Sequence, residues 1–114
     1  RGKDLIITGG YNVYPKEVET EIDEMPGVIE SAVIGCPHPD FGEGVTAVVV
    51  CKPGADVTAK GIAAALEQRL AKFKQPKQVF VVAELPRNTM GKVQKNLLRE
   101  QYKDIYAKQL KAGE

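Results

Sequence analysis

The chain has 114 residues, 43% of them hydrophobic and 27% charged, with 16 basic and 15 acidic side chains and a formal net charge of +1. That length holds one domain with a modest core, not two. The charge balance argues against a dedicated nucleic-acid binder, no apolar run approaches membrane-spanning length, and no signal-peptide pattern opens the sequence.

In chain order, residues 5–7 (LII) and 11–13 (YNV) flank the turn signal Thr8-Gly9-Gly10 and predict a small hairpin. Residues 15–25 predict a helix. Pro15 suits its first position, Glu17 suits its positive N-terminal end, and Val18, Ile22 and Met25 share one face. Pro26-Gly27 ends it. Residues 28–35 and 45–52 predict strands. The second is too continuously apolar to have one wet face and should be central. Between them CPHPDFGEG, with its prolines and glycines, predicts a loop. A second helix is expected over 58–71, where Ile62, Leu66, Leu70 and Phe73 recur at helical spacing. A third buried strand is expected over 79–85. A last helix over 95–111 puts Leu98, Tyr102 and Ile105 on one face, with lysines that complement its C-terminal dipole. The order implies an α/β (α+β) fold: a small three-stranded sheet with helices on both faces, plus an N-terminal two-stranded hairpin.

Cys36 and Cys51 lie in apolar segments without CxxC or histidine spacing. They read as buried free thiols of a reduced compartment, and a cytoplasmic location is expected. His38, a lone imidazole between two prolines, reads as packing rather than as a metal ligand or base, and no metal site is expected. Glu17, Glu19 and Glu21 read as helix-start and surface charges. The abrupt start RGKDLII, charged and without an initiator methionine, suggests a piece cut from a longer chain.

Two stretches carry chemistry. One is RGKDLIITGGYNVYPKEVE (1–19). The other is LPRNTMGKVQKNLLR (85–99), a loop that presents Lys92 directly after Gly91. Taken alone, a lysine after a glycine is usually a solvated charge, and Gly9-Gly10 is an ordinary hairpin turn. Together the stretches resemble the two signature segments of the C-terminal domain of acyl-CoA synthetases, in the adenylate-forming superfamily. The resemblance runs from the hinge segment to the end of the chain and, within the superfamily, is closest to malonyl-CoA synthetases. It implies residues 1–114 as a C-terminal lid domain whose large N-terminal domain is absent from this sequence.

The resemblance implies an ATP-dependent acid–CoA ligase working in two half-reactions. A carboxylate attacks the α-phosphate of ATP to give acyl-adenylate and pyrophosphate. The thiol of coenzyme A then attacks the acyl carbon and releases AMP. In the first step negative charge gathers on attacking, transferring and leaving oxygens, and positioning plus countercharge supply most of the catalysis. Lys92 matches the catalytic lysine, a compact charge on a long stem, with Gln94 and Lys95 placed to orient it. Lys3 matches the hinge pivot, and Arg1 matches the arginine that meets the nucleotide. Gly9 and Gly10 match the loop along the coenzyme A path, where side chains would block a thin ligand. Lys72, Lys74 and Arg87 are candidates for the 3′-phosphate of coenzyme A. Mg2+ is expected in the full-length enzyme and not in this domain. The partners implied are the N-terminal domain, a small carboxylate, ATP and coenzyme A, with no nucleic acid and no membrane. Relatives resembling this chain are also modified at the same lysine, which implies a protein lysine acetyltransferase and an NAD-dependent deacylase as partners. The alternative is that the piece matters as a recognition domain, a substrate modified at Lys92. A third option is a nucleic-acid module using Lys103, Lys108 and Lys111, which near-neutral charge and few aromatics disfavour.

Overall fold

A computed structural model describes residues 5–106; Arg1, Lys3, Lys108 and Lys111 lie outside that range. The elements are β1 (Ile6–Thr8), β2 (Tyr11–Val13), α1 (Pro15–Asp23), β3 (Val28–His38), β4 (Gly42–Cys51), α2 (Ala59–Glu67), β5 (Gln78–Val82) and α3 (Lys95–Gln101), with a 3-10 turn at Lys72–Lys74 before β5.

β4 is the spine, as its apolar run requires. β3 pairs antiparallel along its whole length, from Val28 opposite Cys51 to His38 opposite Gly42. β5 pairs with β4 in parallel, from Thr46 opposite Gln78 to Val50 opposite Val82, and β1 joins β4 where Thr8 pairs with Gly42. Both faces of β4 are covered. Val45, Ala47 and Val49 pack with Val18 and Ile22 of α1 and Ile62 and Leu66 of α2. Val48 and Val50 pack on the other face with Leu85, Leu98, Tyr102 and Tyr106. A strand buried on two sides cannot alternate with polar residues, which is why 45–51 reads as one apolar block.

The α/β architecture with helices on both faces is as expected, but the sheet has five strands rather than three plus a separate hairpin. The cause lies in CPHPDFGEG, expected as a loop. Here β3 runs on to His38 and β4 starts at Gly42, leaving only a tight turn. The extension carries β4 far enough to meet Thr8. Pro37 is tolerated within β3 because β3 is an edge strand.

α1 starts with Pro15 at its first turn, and α2 is capped by Thr58 Oγ1, which accepts the Gly61 N–H at 3.0 Å. α2 ends at Glu67, four residues before the expected stop, and the chain re-forms as a 3-10 turn. That break swings Phe73 onto the hairpin, where its ring stacks on Tyr11 at 4.6 Å. β5 ends at Val82, and Leu85 is buried beyond it under α3. α3 breaks at Tyr102, short of the expected 111, and residues 107–111 lie outside the described range.

Tyr106 then inserts into the second face. Its hydroxyl and Thr46 Oγ1 are 2.8 Å apart, and a Cβ on Gly44 would sit 2.8 Å from its ring. Cys36 is buried and Cys51 half-buried, both as free thiols. No helix among the described residues is long and apolar enough to cross a membrane.

Candidate functional site

Residues 86–94 form a miniature hairpin around Lys92. Arg87 bridges Val93, the Gln94 N–H donates to Pro86 O at 2.8 Å, and the Asn88 N–H donates to Lys92 O at 3.0 Å. The Asn88 side chain fastens the tip, because its Oδ1 accepts the N–H groups of Met90 (2.9 Å) and Lys92 (3.0 Å). Gly91 has a φ of +84°, and nothing lies within 4 Å of where its Cβ would be. Within this chain the glycine serves backbone conformation rather than a tight contact. The Arg87 guanidinium donates to Gly91 O at 2.7 Å and pairs with Glu30 on β3. The result is an internally hydrogen-bonded loop with an exposed Lys92, whose ammonium has no hydrogen-bond or ion-pair partner among the described residues.

Behind the loop, Lys95 Nζ pairs with Glu19 at 2.7 Å, and both side chains are mostly buried. The same Glu19 oxygen accepts the Val33 N–H at 2.8 Å. Glu19 is therefore not a plain surface charge. It covers an open N–H of the edge strand and ties α1 to the start of α3. Gln94 contributes through its backbone, as the residue preceding α3, and its side chain makes no capping bond. Glu17 and Glu21 are paired more openly, with Lys74 at 2.8 Å and Arg69 at 3.1 Å.

The second feature surrounds the β1–β2 turn. Gly9 and Gly10 have φ of +58° and +87°, the pair of left-handed residues that a two-residue hairpin turn demands. Gly9 is also held close: its N–H donates to Phe41 O at 2.9 Å, and a Cβ on it would lie 3.0 Å from the Phe41 ring. An open cavity of about 480 Å3 begins here, lined by Gly9, Tyr11, Phe41 and Phe73 and by two lysines, Lys72 and Lys77. Lys77 Nζ sits 3.9 Å above the centre of the Phe41 ring. His38 packs between the rings of Phe41 and Tyr106, 4.9 Å from each, and its Nδ1 accepts the Asp40 N–H. Burial, then nearby Lys77, push its pKa down, while Asp40 opposes them.

Of the expected coenzyme A residues, the structure brings Gly9 and Lys72 together at this cavity, with Gly10 at the tip of the same turn. Lys74 is engaged by Glu17, and Arg87 belongs to the Lys92 hairpin instead. Tyr11, Phe41, Phe73 and Lys77 emerge only from the fold. KFKQPK, basic residues interleaved with an aromatic one, is the part of the set that a sequence could have flagged. Phe41 is brought in by the tight turn between β3 and β4.

The two features sit at opposite ends of β4. β1 meets it at Gly42, while Glu30, the anchor of Arg87, pairs with Val50. Eight residues of strand span about 27 Å at ~3.4 Å per residue. Lys103 is paired with Glu100 at 2.7 Å. Among the described residues no group of three or more His, Cys, Asp or Glu side chains could hold a metal ion.

Residues 17–92 match the family model described as the AMP-binding enzyme C-terminal domain, about two thirds of the chain. The chain belongs to this family. Among curated relatives, this AMP-binding C-terminal domain is 50% identical over 103 residues to a 3-[(3aS,4S,7aS)-7a-methyl-1,5-dioxo-octahydro-1H-inden-4-yl]propanoyl:CoA ligase of Rhodococcus jostii, covering 90% of the chain and 20% of the relative. It is 47% identical over 102 residues to the long-chain-fatty-acid–CoA ligase FadD13 of Mycobacterium tuberculosis, with the same coverage. Among solved structures, apo MatB from Rhodopseudomonas palustris superposes with a TM-score of 0.91 at 70% identity, over 93% of this chain and 21% of that one. MatB has also been solved with ATP bound. The chain thus spans about one fifth of the length of the relatives it matches.

Proposed function

We propose that this domain is the mobile C-terminal part of an ATP-dependent acid–CoA ligase, and that it serves the two half-reactions with its two ends. The observation that carries this is the Lys92 hairpin. It fastens backbone on both sides of the lysine and leaves the ammonium without a partner among the described residues, as a charge meant for a ligand outside this chain would be. In adenylation Lys92 contacts the reacting carboxylate and the α-phosphate and stabilises the charge that develops between them. Arg1 meets the same nucleotide. In thioester formation the domain turns about Lys3 and presents the Gly9-Gly10 turn and its cavity to coenzyme A. The aromatic walls suit a nucleobase, and Lys72 and Lys77 suit phosphates. The separation of the two ends along β4 supports a rotation between steps rather than one shared site.

Malonate is the acid proposed, on the resemblance of both motifs to malonyl-CoA synthetases and on the 70% identity to MatB. Mg2+ belongs with ATP in the full-length enzyme. A second proposal follows from the same exposed lysine: Lys92 is open to a protein lysine acetyltransferase and a deacylase.

The test is the full-length protein with malonate, ATP and coenzyme A, assayed for each half-reaction. Lys92→Ala is expected to slow adenylation by about a hundred- to thousandfold, or ~3–4 kcal/mol. Thioester formation from supplied malonyl-adenylate should survive. Equal damage to both steps would sink the two-ended assignment.

A further inference from the structure

Glu43, the second residue of β4, closes the sheet with its side chain where the backbone leaves a gap. β1 pairs with β4 at a single position, Thr8 opposite Gly42. In a two-residue hairpin the Thr8–Tyr11 pair uses its amide groups within the hairpin, so the Ile7 N–H points the other way, toward β4. There it donates to Glu43 Oε1 at 2.8 Å. The carboxylate lies in a slot made by Gly35 of β3. A Cβ on Gly35 would sit 3.0 Å from Glu43 Cδ, 3.0 Å from Oε2 and 3.1 Å from Ile6 Cγ2. Gly35 is buried and is not among the glycines with positive φ. Its backbone does not demand glycine; the space for Glu43 and Ile6 does.

Two links therefore hang the hairpin from the β3–β4 end: the Ile7 N–H on Glu43 Oε1, and the backbone pairing of Thr8 with Gly42, which the bond from the Gly9 N–H to Phe41 O helps make. Only the first depends on a side chain. We propose that Glu43 is a positioning residue for thioester formation. It holds the strand that carries Gly9-Gly10 against the Phe41 side of the cavity, and Gly35 is its steric complement. This role rests on the coenzyme A path proposed above.

The experiment uses the full-length ligase and four variants: Glu43→Ala, Glu43→Gln, Gly35→Ala and Gly10→Leu. Adenylation is read by pyrophosphate exchange, the second step by kcat/KM for coenzyme A, and strand tethering by amide hydrogen exchange of peptides covering residues 5–12. Glu43→Ala should lower kcat/KM for coenzyme A by about tenfold, the loss expected of one hydrogen bond to a charged acceptor. Adenylation should be unchanged, and exchange over 5–12 should quicken. Glu43→Gln keeps an oxygen for the Ile7 N–H and should stay near wild type, whereas Gly35→Ala should resemble Glu43→Ala. Equal loss in both half-reactions, a Gln variant as poor as Ala, or unchanged exchange would each overturn the proposal. An intact second step in Gly10→Leu would overturn the coenzyme A path itself. An intact second step in Glu43→Ala beside an impaired Gly10→Leu would overturn the Glu43 role alone.

Discussion

Replacing Asn88 by alanine removes the acceptor that two backbone N–H groups of the Lys92 hairpin share, those of Met90 and Lys92. The backbone rungs remain, since Asn88 N–H still reaches Lys92 O and Gly91 N–H still reaches Asn88 O. The hairpin should thus persist but loosen where it matters. A neutral hydrogen bond contributes ~0.5–1.5 kcal/mol net, and water can reach both freed N–H groups, so the lower half of that range applies. Two such bonds come to ~1–2 kcal/mol. On the proposed role of Lys92 in adenylation, losing that stabilisation should slow this step by about five- to thirtyfold. The assay is pyrophosphate exchange in the full-length protein, beside thioester formation from supplied acyl-adenylate, which should not change. Asn88→Asp keeps the oxygen acceptor and should recover most of the rate. Adenylation unaltered in Asn88→Ala, or both half-reactions reduced together, would refute the claim that this side chain presents the lysine.

Burial pushes the Tyr106 hydroxyl from its ordinary 10.0 up to about 12, with the Thr46 hydrogen bond pulling the other way. The folded state thus prefers the neutral phenol. Its contribution is complete below pH 10 and is lost as pH rises from 10 toward 12. The melting temperature of the isolated chain should fall across that window, and less steeply in Tyr106→Phe; equal slopes would contradict this, because Tyr102, also raised by burial, is common to both proteins. Incubation with a protein lysine acetyltransferase and acetyl-CoA should label Lys92 ahead of the other lysines, abolish its charge and leave the melting temperature unchanged. Label spread evenly over the chain by mass spectrometry would defeat that expectation.

The helices and central strands are legible because their causes are local. Val18 and Ile22 recur at helical spacing, Pro15 starts α1, and the apolar run of β4 leaves room for no wet face. The lysine loop is legible for the same reason: the turn that presents Lys92 is built from bonds among residues 86–94. Where local rules failed, distant partners were responsible. CPHPDFGEG looks like a loop on its prolines and glycines, yet its ends pair as strands because an edge position accepts Pro37 and β1 needs Gly42 as a neighbour. Glu19 reads as a helix surface charge, but Val33 and Lys95 enclose it.

By itself the sequence determined the α/β class, the central place of β4 and the two motifs that mark Lys92 and Gly9-Gly10. The class and the place of β4 follow from periodicity and residue order, while the two motifs were marked by their resemblance to the acyl-CoA synthetase signature segments. The tertiary structure decided which basic residues share a cavity with Gly9. It drew in Lys72 and Lys77, engaged Lys74 with Glu17, and anchored Arg87 on Glu30. It also decided that Gly35 is small for the sake of Glu43. These are meetings made by the folded sheet, and no spacing along a sequence encodes which of several lysines will face the same wall once it has formed.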